Sequence, residues 1–133
     1  MTTFYVDSSA WAKLLLDEPE SESVVAWVDE RLAASDILVS SQLLVTELHR
    51  LAQREGVAPT AVGQALSVLG LALPSPVTFR QAGLIPGSVR SLDALHVTQA
   101  IEVGADAFIS FDTRQIAAAQ AAGIPAGPPA DLP

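Results

Sequence analysis

FYVDSSAW, residues 4–11, sets an acid directly after an apolar run near the start of the chain. Phe4, Tyr5 and Val6 favour strands, so residues 3–7 read as a first strand entering a sheet. Asp7 ends that strand, and an ionised carboxylate at the end of a buried strand is costly unless something pairs with it.

Outward from this stretch the pattern alternates. Ser9 to Leu16 reads as a short helix halted near Pro19, and Ser21 to Ala34 carries Val24, Val25, Trp27, Val28 and Leu32 at helical spacing. Ile37, Leu38 and Val39 form a second strand. A helix from Gln42 to Glu55 follows, with Leu44, Leu48 and Leu51 on one stripe and Gly56 as its stop. Another helix begins near Pro59, a residue suited to a first turn. Leu71 to Leu73 reads as a third strand before Pro74 and Pro76. Ser91, taken as an N-cap, precedes LDALHVTQAIEV, a helix ending at Gly104. AFISF, residues 107–111, is a fourth strand that runs into Asp112. Thr113 to Ala122 is helical and closed by Gly123, IPAG makes a last edge strand, and the Pro-rich tail 128–133 is loose. The expectation is an α/β fold: one domain over residues 1–133, with a central parallel sheet covered by helices on both faces. In such folds ligands bind beyond the carboxyl ends of the strands.

Composition narrows the class. The chain has 133 residues, half of them apolar, enough for one substantial core. Its most apolar stretch, Ala65 to Leu73, is too short to span a bilayer, so no membrane role is expected. No basic residue precedes the first apolar run, no signal peptide is apparent, and the expected location is cytoplasmic. The absence of cysteine excludes disulfides, thiolate zinc sites and cysteine nucleophiles. A net charge of −8 argues against a generic polyanion binder. Asp17, Glu18, Glu20, Glu22, Asp29 and Glu30 crowd one early segment and read as a solvated face.

The remaining acids are placed differently. Asp7 and Asp112 both end apolar strands on the carboxyl side. Glu47 interrupts the apolar stretch LLVTELHRL, and Asp93 lies in the first turn of its helix. Each has a purely structural account. Asp93 can oppose the positive helix N-terminus, Asp112 can cap the helix starting at Thr113, and Glu47 can pair with Arg50 or Arg54. Asp7 has the weakest such account. Brought together, each pair at about 4 Å would repel by roughly 4 kcal/mol at an effective dielectric near 20. Lys13 is the only lysine, so a divalent cation is the natural counter-charge. All-oxygen ligation suits Mg²⁺ or Mn²⁺, and such sites act on phosphate groups.

Asp7 in YVDSS, Glu47 in TELHR, Asp93 in RSLDALH and Asp112 in SFD resemble, in order and spacing, the acidic signatures of PIN-domain nucleases. DALH and SFDTR look most like the VapC-type toxins of bacterial toxin–antitoxin pairs, and the resemblance spans about residues 3 to 127. It implies a compact PIN-like α/β/α fold and a metal-dependent endoribonuclease that leaves a 5′ phosphate. It also implies a homodimer neutralised by a cognate VapB-type antitoxin. On this reading Asp7, Glu47, Asp93 and Asp112 are the catalytic and metal-binding residues, with Mg²⁺ or Mn²⁺ held chiefly by Asp7 and Asp93. Ser9, Ser110 and Arg114 are candidate substrate-binding residues. Arg50, Arg54 and Arg90 are further candidates to steer the strand, with exposed salt bridges as their ordinary role. His96 lies one turn after Asp93, where a packed helix histidine is the better reading, and His49 is peripheral.

Other acidic-pocket folds fit less well. A receiver-type phosphoacceptor needs adjacent acids after the first strand and a late lysine, and an aspartate-nucleophile phosphatase needs D-x-D where this chain has Asp7-Ser8-Ser9. No G-x-G-x-x-G supports a dinucleotide fold. The rival of a different class is a PIN-like module that binds RNA or protein without cleaving.

Overall fold

The computed structural model describes residues 1–132. Five strands, β1 (Thr3–Val6), β2 (Ile37–Ser41), β3 (Gly70–Ala72), β4 (Ala107–Ile109) and β5 (Ala126–Gly127), form one sheet in the order β3-β2-β1-β4-β5. Every pairing is parallel. The helices between them are α1 (Ser8–Trp11), continued by a 3-10 turn at Ala12–Leu14, α2 (Ser21–Ala33), α3 (Leu43–Glu55), α4 (Pro59–Leu66), α5 (Pro76–Ala82), α6 (Ser91–Glu102) and α7 (Thr113–Ala121). The expected α/β architecture is the one observed.

Alternation along β1 shows why both faces must be covered. Phe4 and Val6 enter a cluster with Trp11, Trp27, Leu44 and Leu48, whereas Tyr5 enters the opposite one with Val97, Phe108 and Ala119. Burying each large side chain contributes roughly 1.5–3 kcal/mol. Phe4 meets Trp27 edge to face at 5.2 Å, and Trp11 donates its indole N–H to the Ala65 carbonyl at 2.7 Å. That bond ties the segment after Asp7 to α4. Gly56, at φ +70°, ends α3 in the left-handed conformation that favours glycine.

Three expectations change. Arg90, not Ser91, holds the extended N-cap position of α6, and Ser91 is its first helical residue. Residues 74–90, left without an element, contain α5, begun by Ser75 and Thr78 in a reciprocal capping box with Pro76 at the first turn. The tail expected to be loose makes a 3-10 turn at Pro129–Asp131, with Pro129 buried and Leu132 against the core. Apolar contact holds it, and Pro133 lies outside the described residues. Among those residues no helix is long and apolar enough to cross a membrane.

The strand order reverses beside β1: β2 follows on one side, and β4 lies on the other. A crevice therefore opens beyond the carboxyl ends of β1 and β4, where doubly wound sheets bind ligands. The chain leaves β1 at Asp7 and β4 at Ser110 into that crevice. The Asp7 N–H bonds the Ile109 carbonyl at 3.1 Å and joins its walls.

Candidate active site

A cavity of about 780 Å³ occupies the crevice, lined among others by Ser8, Ser9, Glu47, Arg50, Arg54, Arg90, Asp93, Asp112 and Gln115. Sheet topology and helix phase together bring Glu47, Asp93 and Asp112 to one wall system. Glu47 reaches it from the second turn of α3, Asp93 from the first turn of α6, and Asp112 from the N-cap of α7.

Asp7 lies underneath. It is fully buried and caps α1: its Oδ1 accepts from the Ala10 N–H at 2.9 Å and from Ser9 Oγ at 2.7 Å, and its Oδ2 accepts from Ser110 Oγ at 2.5 Å. Burial pushes its carboxyl above the usual range, and these donors, Ser110 foremost, pull it part of the way back. The weak structural account of Asp7 is thus replaced by a strong one, because the turn into α1 supplies the partners a strand end lacks.

Ser110 is fully buried against Asp7 and does not line the cavity; its Oγ also accepts the Asp112 N–H at 3.0 Å. A direct substrate contact for Ser110 therefore gives way to a role in holding Asp7 and the start of α7. Ser9 does border the cavity, while accepting the Phe111 N–H at 2.9 Å. Arg114 is exposed and lines a separate groove of about 430 Å³ with Pro86, Val89 and Ala118. It follows Asp112 by two residues, and the first turn of α7 rotates it off the acidic wall. Gln115, not singled out in the sequence, borders the cavity and donates to the Asp93 carbonyl at 3.3 Å.

Asp112 does cap α7, accepting from the Arg114 and Gln115 N–H groups through Oδ1. Asp93 is 18% exposed and leans toward Arg90, whose Nε is 3.7 Å from Oδ2. Desolvation raises the Asp93 carboxyl above its ordinary value, and the Asp112 charge raises it further, against the pull of Arg90 and His96. Glu47 pairs with neither Arg50 nor Arg54. Its Oε1 lies 2.6 Å from His96 Nε2, and its Oε2 accepts from Ser8 Oγ at 3.2 Å. His96 is fully buried, as the packed reading expects, and its other nitrogen meets the Tyr5 hydroxyl at 2.7 Å.

These residues suit a hard divalent cation in kind. The donors are carboxylate oxygens, and the one ion pair that Asp93 or Asp112 makes among the described residues is with the exposed Arg90, 3.7 Å from Asp93. Among the described residues no three acid or histidine side chains are gathered closely enough to enclose an ion. Binding one requires side-chain adjustment across the cavity.

A five-stranded parallel sheet in this order, with acids at the carboxyl ends of β1 and β4, defines a class as well as a site. A family model described as the PIN domain matches residues 4–121, and the chain belongs to that family. It is 33% identical over 128 residues to a Mycobacterium tuberculosis protein named Ribonuclease VapC46, covering 93% of this chain and 95% of that one. Ribonuclease VapC47 of the same species is 30% identical over 126 residues, covering 90% and 92%. Among solved structures, M. tuberculosis VapC20, described as a sarcin–ricin loop cleaving toxin, superposes with a TM-score of 0.68 at 22% identity, covering 91% of this chain and 95% of that one. FitAcB from Neisseria gonorrhoeae superposes at 0.67 with 18% identity, covering 97% and 99%. Within its family the chain is of the VapC type.

Proposed function

We propose that this chain is a divalent-metal-dependent endoribonuclease, the toxin of a toxin–antitoxin pair. One observation carries the reading: Glu47, Asp93 and Asp112 line a single cavity over buried Asp7, and Arg50, Arg54 and Arg90 line the same cavity. Acids alone would repel RNA, and cations alone would bind it without chemistry. Asp93 and Asp112 would hold Mg²⁺ or Mn²⁺ with Glu47, and Asp7 would support them from beneath. When bound, the ion supplies phosphate charge neutralisation and lowers the pKa of an attacking water. Arg50 and Arg54, one turn apart on α3, carry no ion-pair partner among the described residues and are available to backbone phosphates. Ser9 and Ser110 keep Asp7 oriented, and Asp112 fixes the start of α7 while facing the cavity.

The test is incubation of purified chain with single-stranded RNA and Mn²⁺ or Mg²⁺. Internal cleavage leaving 5′ phosphates, suppressed by EDTA, is expected; intact RNA beside a folded, metal-loaded chain refutes the reading. We further propose a cytoplasmic homodimer restrained by a VapB-type antitoxin. A partner guanidinium can satisfy these carboxylates bidentately and stand in for the ion, and the exposed apolar side chains Leu73, Val77, Phe79 and Leu84 suit subunit contact.

A second reading has its own support. Both Asp7 oxygens are already hydrogen-bonded and no three ligands are gathered among the described residues, as befits a PIN module that binds RNA or protein without cutting it. RNA retention without cleavage at saturating Mn²⁺ would select it.

A further inference from the structure

Tyr5 and His96 are fully buried, yet each places a polar group where an apolar one would fill the same space. The Tyr5 hydroxyl is 2.7 Å from His96 Nδ1, and His96 Nε2 is 2.6 Å from Glu47 Oε1. The three residues come from β1, α6 and α3, so the line runs from the centre of the sheet to the cavity wall.

With Glu47 accepting and the His96 ring neutral, donor chemistry gives the line one direction. An ionised carboxylate only accepts, so Nε2 carries the hydrogen that meets Glu47; in the neutral ring Nδ1 is then an acceptor, and the Tyr5 O–H donates to it. The Tyr5 ring that carries this hydroxyl is held in place. Its ring stacks on Phe108 at 5.3 Å and 8° and meets the His96 ring edge-on at 5.8 Å and 75°. At the far end Glu47 is held through both oxygens, by His96 on Oε1 and by Ser8 on Oε2. Its side chain is 19% exposed, enough to be felt in the cavity, whereas that of His96 is 0% exposed. His96 therefore touches no substrate, and its one hydrogen bond toward the cavity is the one to Glu47. A long glutamate without this anchor would populate several rotamers, and the charge it offers the cavity would be spread over them.

We infer that His96, its tautomer set by Tyr5, is a positioning residue that holds Glu47 in one orientation and thereby sets the divalent-cation affinity of the acidic cavity. The inference rests on the metal-dependent reading above, but its first test does not. In metal-free chain labelled with ¹⁵N, the His96 ring is expected as the Nε2–H tautomer; the Nδ1–H tautomer would overturn the line of bonds outright. Mn²⁺ titration follows the coupling. His96→Leu combined with Tyr5→Phe, which removes both members of the buried Tyr5–His96 bond, is expected to weaken Mn²⁺ binding and RNA cleavage about 10–100-fold, the usual cost of losing a partner that orients a ligand. His96→Gln, which keeps a donor near the Nε2 position, should recover most of the loss. In a Glu47→Gln background the same double substitution should add less than twofold, because its route of action is already gone. Additive losses, or no rescue by glutamine in a folded chain, would mean that His96 is merely packed. A wild-type chain that binds no Mn²⁺ would remove the nuclease reading and this dependence on it together, while the tautomer result would stand apart.

Discussion

Ser110 Oγ donates to Asp7 Oδ2 at 2.5 Å across the seam between β1 and β4, joining two residues that neither line the cavity nor touch solvent. The negative charge beneath the site is therefore held by hydrogen bonds in an environment that disfavours it, and its consequences are measurable.

Asp7→Asn should stabilise the metal-free chain. Burial raises the folded carboxyl above its unfolded value near 3.9. A group shifted that way contributes its full stability below the unfolded pKa and loses it as pH rises through the folded one. At pH 7 the charged form is a burden that asparagine lacks, while its carbonyl oxygen still accepts from Ala10 and Ser9. Melts in EDTA at pH 5 and pH 8 should show the larger gain for the variant at pH 8. A rise of about 3–6 °C would correspond to roughly 1 kcal/mol, and a variant no more stable than wild type would contradict the argument.

Divalent metal should stabilise the wild type and not Asp93→Asn. At tenfold excess over its Kd one ion adds about 1.4 kcal/mol, or roughly 3–8 °C for a domain of this size. Calorimetric melts with Mn²⁺ and with EDTA at low salt provide the check. Superimposed wild-type curves would dismiss the cation.

RNA cleavage should fall on the order of 100-fold or more in Asp93→Asn, with circular dichroism unchanged. Asp93 occupies the third position of α6 and bonds no backbone N–H among the described residues, so asparagine there breaks no capping bond. Full activity in this variant would be incompatible with the assigned site.

Arg50→Ala and Arg54→Ala should each weaken single-stranded RNA binding and lower the slope of log K against log salt by about 0.7, the value for one lost phosphate contact. Arg80, which lies on α5 and does not line the cavity, serves as the control. Equal slopes in all three variants would place the RNA path elsewhere.

Much of this molecule was legible locally. Strand-forming Phe4-Tyr5-Val6 stopping at Asp7, and Ala107–Phe111 stopping at Asp112, announce a parallel sheet with acids at one end, because propensity and chain reversal are decided within a few residues. The capping role of Asp112 was readable for the same reason. Helix α5 escaped because its capping box pairs Ser75 with Thr78 where Glu or Gln is the usual signature, and because Pro74 and Pro76 read as breakers.

What only the tertiary structure decided concerns which face each polar group presents. Sequence alone placed Asp93 and Asp112 at element ends that a parallel sheet gathers on one side, and marked Glu47 as an acid interrupting an apolar helix stripe. It could not reveal that Asp7 is sealed beneath two serines, nor that Arg114 turns into a neighbouring groove. Nor could it join Tyr5 to His96 across 91 positions, or His96 to Glu47 across 49. Local propensity is written in neighbouring residues. The partner of a buried donor depends on the packing of whole helices against the sheet, and a rotation of one residue, about 100° around a helix, is enough to change it.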